Sequence, residues 1–240
     1  MRLAPLPAEF AVTRGALHQI AFFALAPARY RAVGRMGLQP TPGGFGTPEF
    51  DGKVARVEGD LLVHEEHDNI ATRTITTVRD AASFFGLDYE VEWFEDFHDP
   101  LQPVDPDRTL VVDLESAGVL GRWFAFGFEV LEGLRSRAVA GDDPSEVQLW
   151  PEHFDAALEM GSEPEGLRAG YGASPGDKEH PQPYLYVSVW AEIDRSDTYW
   201  NDETFNGASL PYDELAAADD PAGRAIEFLH VGYRALRGGG

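Results

Sequence analysis

The sequence predicts an α+β fold in which about six to eight mostly antiparallel strands pack on a buried central helix. Three features favour it: short segments that alternate apolar and polar residues, turn residues between them, and a long helical segment at 117–139 that is apolar nearly all round. A hydrophobic content of 43% over 240 residues suffices for a packed core. We therefore expect residues 1–240 to form a single structural unit.

The first half of the chain begins with a predicted helix at 13–26, with Thr13 as its N-cap and Pro27 at its end. A stretch rich in glycine and proline follows, which is typical of short extended pieces joined by turns. Alternation and turn residues then predict strands at 53–59, 60–66 and 70–76, and a short helix at 78–85 that Thr77 caps.

The second half follows an acidic, aromatic and proline-rich segment at 88–108, which we interpret as a linker or lid. Ser116 is the predicted N-cap of the central helix, and Asp220 with Pro221 begins a last helix. The strands predicted in this half lie at 109–114, 145–160, 167–174 and 184–190. A Thr/Ser-Pro-Gly turn occurs in each half, which suggests two related halves, 1–105 and 106–240.

Alternation along three strands of the second half predicts a functional face. If the strands at 145–160, 167–174 and 184–190 form an antiparallel meander, one face is apolar and the other carries ionisable and aromatic side chains. Gly170 and Gly172 would leave the middle of that second face bare, which suits a small-molecule pocket. The alternative is a solvated outer face with cross-strand aromatic pairs. The residues assigned to the face are His153, Asp155, Arg168, Tyr184, Tyr186 and Trp190.

Candidate roles follow from the chemistry of these side chains. His153 is the candidate acid–base group, with Asp155 or Glu152 as the carboxylate that would orient its ring. The residues expected to contact the ligand are Trp150, Arg168, Ser174, Tyr184, Tyr186 and Trp190. A divalent metal such as zinc, iron or manganese could instead be held by His153, Asp155, Asp177 and His180.

Two other motifs do not support catalysis. Gly172, Ser174 and Gly176 match Gly-x-Ser-x-Gly, but a nucleophile elbow needs a backbone N–H directly after the serine, and Pro175 has none. Residues 174–177 instead predict a type II turn. The stretch His-Glu-Glu-His at 64–67 places its histidines three residues apart, whereas the zinc motif requires four.

Charge and composition exclude several classes of function. The chain has 41 acidic and 19 basic residues, a net charge of −22, which disfavours binding to nucleic acid or to anionic membrane surfaces. It has no cysteine and no apolar segment long enough to span a bilayer, so we expect a soluble cytoplasmic protein. An alternative function is a non-catalytic interaction protein that docks a partner through the aromatic and acidic segment 89–99.

Several motifs carry a resemblance to a known group. They are VQLWPEHFDAALEMG, GASPGD, PQPYLYV, GLQPTPGGFGTPEF, ITTVRDAASFFG and the C-terminal FNGASLPYDEL with DDPAGRAIEFLHVGY. The chain resembles an uncharacterised bacterial family, mostly of high-GC Gram-positive organisms, with a looser likeness to a larger domain of unknown function. The resemblance covers nearly the whole chain. It implies a single structural unit in the cytoplasm, and no activity, cofactor or catalytic residue.

Overall fold

The computed structural model describes residues 2–89 and 101–238, and the fold in these ranges is α+β. Ten strands form two antiparallel sheets of five strands each, rather than the six to eight strands expected. The expectation is wrong because three short strands, at 39–41, 44–46 and 207–211, contain glycine or proline, and such residues give no alternating pattern from which to count strands. The segment at 109–114, predicted as a strand, is not one.

The chain divides into two compact units. One comprises Leu6–Phe124 and Leu149–Phe154, and we call it the N-terminal unit. The other comprises Met1–Pro5, Ala125–Gln148 and Asp155–Gly240, and we call it the C-terminal unit. Each contains strands and helices, and each is described by itself below.

The N-terminal unit begins with three helical segments that follow one another without a break: α1 (Phe10–Ile20), a π-helical turn (Ala21–Leu25) and α2 (Ala26–Val33). The predicted end at Pro27 is wrong. Pro27 has no N–H to donate, and it lies in the first turn of α2, directly after the wider π-helical hydrogen bonding. Thr13 lies inside α1 and does not cap it; its hydroxyl accepts a hydrogen bond from the N–H of Asp113 at 3.0 Å.

The sheet of the N-terminal unit is a meander in which each strand pairs antiparallel with the next. The helix α3 (Val78–Phe84) follows it, and Thr77 caps α3 as predicted by accepting from the N–H of Asp80 at 3.0 Å. The strands are β1 (Gln39–Thr41), β2 (Gly44–Gly46), β3 (Lys53–Glu58), β4 (Leu61–Glu66) and β5 (Asn69–Thr74).

The long helix α4 spans Leu114–Arg135 and begins earlier than predicted, because Asp113 rather than Ser116 caps it. The Asp113 carboxylate accepts from the N–H of Ser116 at 2.8 Å. The helix buries most of its apolar side chains but keeps an exposed stripe through Glu115, Arg122 and Glu129, so it is not apolar all round. Its central position in the fold remains a prediction.

The C-terminal unit carries four of the five strands of the second sheet, together with Gln148 of the fifth. Helix α5 (Tyr212–Ala217) follows the sheet, and α6 (Pro221–Ala235) begins at the predicted Asp220 cap, whose carboxylate accepts from the N–H of Gly223 at 3.1 Å. The strands of this sheet are β6 (Gln148–Trp150), β7 (Asp155–Met160), β8 (Ala169–Ser174), β9 (Tyr184–Val189) and β10 (Gly207–Pro211), and their order is β10-β9-β8-β7-β6.

In the described ranges, no helix has the length and apolar character needed to cross a bilayer.

Candidate functional site

The register of the second sheet places several of the predicted residues on one face. Gly172 of β8 lies opposite Ala157 of β7 and Tyr186 of β9, and Tyr186 in turn lies opposite Ser209 of β10. Because side chains alternate along each strand, Asp155, Tyr184 and Tyr186 share this face. The antiparallel meander assumed in the sequence analysis is therefore present in this sheet.

The face does not have the open glycine floor that the sequence predicts. A Cβ atom added to Gly172 would lie 2.3 Å from Cζ of Tyr186, so the tyrosine ring rests directly on the glycine backbone. The Tyr186 hydroxyl donates to Oδ2 of Asp155, which is buried. The hollow is thus filled by a ring from the protein itself, because a glycine on one strand leaves room for the large side chain opposite.

A second tyrosine fixes the loop that follows β8. The Tyr184 hydroxyl donates to Oδ2 of Asp177 at 2.6 Å, while Oδ1 of Asp177 accepts from the N–H groups of Glu179 and His180 at 2.8 and 2.7 Å. The His180 ring lies against the Tyr184 ring with centroids 4.4 Å apart. The loop that carries Asp177 and His180, two of the candidate metal ligands, is therefore held in place by hydrogen bonds and ring contacts.

His180 also binds a carboxylate that the sequence analysis did not single out. Its Nε2 lies 2.9 Å from Oδ2 of Asp202, which is 4% exposed, and Oδ1 of Asp202 accepts from both the N–H and the hydroxyl of Thr204. Burial alone would raise the pKa of Asp202, but hydrogen bonds from Ser209 and Thr204 outweigh it and lower that pKa. Asp202 is an ionised anchor for the imidazole.

These contacts leave His180 between two carboxylates. Its Nδ1 lies 3.7 Å from Oδ1 of Asp177, on the side of the ring away from Asp202. Both ring nitrogens therefore face groups of the protein itself. A general base needs a ring nitrogen within hydrogen-bond reach of its substrate, so this arrangement favours a structural role for His180.

The two tyrosines act as hydrogen-bond donors. Burial raises the pKa of Tyr184 and of Tyr186 well above the usual value, and the neighbouring carboxylates of Asp177 and Asp155 raise it further. Both phenols stay protonated across the physiological pH range. They stabilise the face of the sheet and do not supply a phenolate for catalysis.

The predicted acid–base group, His153, does not lie on this face. The strand predicted at 145–160 is interrupted by a turn at 151–154, in which Phe154 has a φ of 56°. His153 is exposed on that turn, and the alternation that paired it with Asp155 does not apply. His153, Glu152 and most of β6 with Trp150 belong to the N-terminal unit, whereas Asp155 belongs to the C-terminal unit.

A histidine that sequence reasoning missed holds this turn. Nε2 of His18 lies 2.9 Å from the carbonyl oxygen of Pro151 and 3.2 Å from that of Glu152, and its ring stacks on Phe154 with centroids 5.0 Å apart. Burial lowers the pKa of His18 to about 4, and the two carbonyl contacts only partly offset that effect. No local pattern marks His18, because its partners lie more than 130 residues away in the sequence.

Three other residues predicted to contact the ligand bind groups of the protein itself or are exposed to solvent. Arg168 pairs with Glu159 at 3.1 Å and donates to the carbonyl of Asp143 at 3.0 Å. The guanidinium of Arg168 lies over the ring of Trp190. Trp190 is 55% exposed, so it does not form the wall of a pocket. The Ser174 hydroxyl accepts from the N–H of Gly176 at 3.1 Å. The N–H of Asp177, which would close the predicted type II turn, donates instead to the carbonyl of His180 at 2.8 Å.

The proposed metal ligands do not converge. Within residues 2–89 and 101–238, no group of three or more histidine, cysteine, aspartate or glutamate side chains is arranged to hold a metal ion. His153, Asp155, Asp177 and His180 therefore do not form the predicted centre, because the turn at 151–154 removes His153 from the strand and the other side chains bind tyrosines and Asp202.

A cleft of about 300 Å³ lies elsewhere in the C-terminal unit, between the edge strand β10 and helix α6. The Asn201 carboxamide forms part of its wall, accepting from the N–H of Ser209 at 2.9 Å and donating to the Ser209 carbonyl at 3.1 Å. Tyr199 and Phe228 also line the cleft, and the Tyr199 hydroxyl donates to the carbonyl of Phe228 at 2.9 Å. Its charged side chains are Glu214, Arg224 and Glu227.

Comparison of the chain with protein-family models, characterised proteins and solved structures gives no match.

Proposed function

We propose that the C-terminal unit binds a small molecule, and that the ligand occupies the cleft between β10 and α6. The volume of the cleft, about 300 Å³, supports the proposal because ligand pockets in proteins begin at about that size. Its wall has three apolar side chains, Leu210, Phe228 and Val231, and the other side chains that line it are polar or charged. The apolar side chains would contact the body of a ligand, and the polar ones would fix its orientation.

The polar network on the face of the sheet would act as the support of this site. Ser209 contributes to the cleft and also forms a hydrogen bond to the buried Asp202. Arg195 donates to the carbonyls of Asp202 and Phe205, which fixes the segment that carries Asn201. Binding sites need such rigid surroundings, so we assign Asp202, His180 and Tyr184 to positioning the cleft wall.

The test is to fill the cleft with a larger side chain. Val231→Trp would place an indole where the ligand should lie, and Val139→Trp, at an exposed position of the same unit, is the matched control. A set of neutral, cationic and anionic fragments would be titrated into ¹⁵N-labelled protein and followed by NMR. We expect at least one fragment to shift amide signals of residues 198–201 and 224–231 in a saturable way. Val231→Trp should abolish that shift and Val139→Trp should preserve it.

Two results would overturn the proposal. One is that no fragment shifts those signals; the other is that Val231→Trp binds the fragments as well as the unchanged protein does. Far-ultraviolet circular dichroism would show that both variants are folded. The alternative function, partner docking through 89–99, falls outside the described residues except for Tyr89, and it stays a prediction.

A further inference from the structure

We infer that the ligand of this cleft is a small organic cation, with a protonated amine or a guanidinium group attached to an apolar body. The inference rests on the proposed function and specifies its ligand class. It is carried by the charges and rings that line the cleft between β10 and α6.

The charged groups of the cleft sum to a negative charge. Glu214 and Glu227 contribute two carboxylates, and Arg224 contributes one guanidinium. Nη2 of Arg224 lies 3.9 Å from Oε2 of Glu214, so the charges of these two side chains largely cancel. The Glu227 carboxylate is then left to attract a positively charged group, and the net charge of −22 on the whole chain adds a field of the same sign.

The apolar side of the cleft would contact the body of the ligand. Phe228 and Tyr199 present two rings whose centroids are 5.4 Å apart, and Leu210 and Val231 add aliphatic surface. Aromatic rings also attract cations, so a ligand that combines a cation with an apolar body suits a cleft lined by these two residues. A neutral ligand would gain only the apolar contacts.

The expected discrimination is modest because the charged side chains are partly in water. The Glu214 and Arg224 side chains are 60% and 40% exposed, and exposed charges interact weakly. We therefore expect the removal of one charge to change the dissociation constant of a cation by about threefold to fivefold. Raising the salt concentration should reduce this difference, since salt screens exposed charges.

Three probes of similar size and different charge test the inference: phenethylamine, 2-phenylethanol and phenylacetate. Each would be titrated into the full chain and followed by NMR, with dissociation constants on the order of 1 mM expected for the best of them. We expect phenethylamine to bind about threefold or more tightly than 2-phenylethanol. Phenylacetate should bind most weakly.

Variants that remove one charge then show whether the preference for the cationic probe arises in the cleft. Glu227→Gln should weaken phenethylamine about threefold to fivefold, and Arg224→Gln should strengthen it by a similar factor, since it removes the positive charge beside the ligand. Glu192→Gln, at an exposed position of the same unit, removes the same charge elsewhere and is the matched control. It should leave the dissociation constant within about 1.5-fold.

The outcomes separate this inference from the proposed function. If the three probes bind equally well, or phenylacetate binds best, the ligand class is wrong while binding in the cleft stands. If Glu192→Gln weakens phenethylamine as much as Glu227→Gln does, the attraction comes from the overall charge and the inference also fails. If no probe binds up to about 10 mM, the proposed function itself is overturned.

Discussion

His18 is a histidine that the fold holds in its neutral form. It is partly buried, its Nε2 faces two backbone carbonyls, and its ring stacks on Phe154. Burial lowers its pKa to about 4 from an ordinary value of 6.5. Above pH 6.5 the ring is neutral in both the folded and the unfolded chain, so its contribution to stability is complete. As the pH falls from 6.5 towards 4, the unfolded chain takes up the proton first and stability is lost.

This linkage gives a measurable pH dependence. Between pH 7 and pH 5 the free energy of unfolding should fall by about 1–2 kcal/mol more in the unchanged protein than in His18→Gln, which keeps an N–H donor but does not titrate. Urea unfolding at the two pH values measures the difference, and other ionisable groups contribute equally to both proteins. An identical pH dependence in the two proteins, or an NMR titration of His18 near pH 6.5, would contradict the assignment.

At the scale of single residues, the sequence could indicate which types of side chain matter but not all of their positions. Asp155, Tyr184 and Tyr186 do share one face, because alternation along regular strands is a reliable guide to faces. Asp177 joins them from the loop after β8, through its hydrogen bond to Tyr184. His153 and His18 show the limit of that guide. One is removed from its strand by a turn with a positive φ at Phe154, and the other is defined by partners far along the chain.

Among the elements, strand β8 contains two glycines, Gly170 and Gly172, and they differ in the space beside them. At Gly172 an added Cβ would lie 2.3 Å from the Tyr186 ring, whereas at Gly170 the nearest atom, the carbonyl oxygen of Ser188, is 3.9 Å away. Both glycines lie on the same face of the same strand. Only Gly172 is therefore required for packing.

The two alanine variants should separate these roles. Gly172→Ala should lower the free energy of unfolding by about 1–3 kcal/mol, because it must displace the Tyr186 ring and its hydrogen bond to Asp155. Gly170→Ala should be neutral or stabilising by up to about 1 kcal/mol, since it restricts the unfolded chain without a clash. Chemical denaturation measures both. Equal effects of the two substitutions would show that the ring does not rest on Gly172.

Elements with a regular pattern were predicted closely, and short irregular ones were not. The strands predicted at 167–174 and 184–190 correspond to β8 and β9, and the Asp220 cap begins α6 as expected. The strand β10 was missed because its residues Gly207–Pro211 include a glycine and a proline. Its pairing with β9 and the two hydrogen bonds between the Asn201 side chain and the Ser209 backbone are tertiary contacts, which a local sequence pattern does not predict.

At the scale of the whole molecule, the pattern of apolar and polar residues predicts the fold class but not the number of strands in each sheet. The α+β class follows from the mixture of alternating and helical segments, and it is confirmed. The presence of two five-stranded sheets depends on which short segments find a neighbour to pair with, and that is decided by chain topology. The chemistry of the cleft depends in the same way on side chains from β10, α5 and α6 that meet only after folding.

The charge of the whole molecule predicts how salt affects its stability. With 41 acidic and 19 basic residues, most acids cannot be paired with a base, and their mutual repulsion opposes the compact state. Raising NaCl from about 10 to about 150 mM shortens the screening length from about 30 to about 8 Å. We expect the midpoint of thermal unfolding to rise at pH 7 by about 2–4 °C per kcal/mol of repulsion relieved. The rise should level off above about 0.3 M, because screening is then nearly complete. A midpoint that falls, or stays constant, would mean that local ion pairs such as Lys53 with Glu66 outweigh the excess of negative charge.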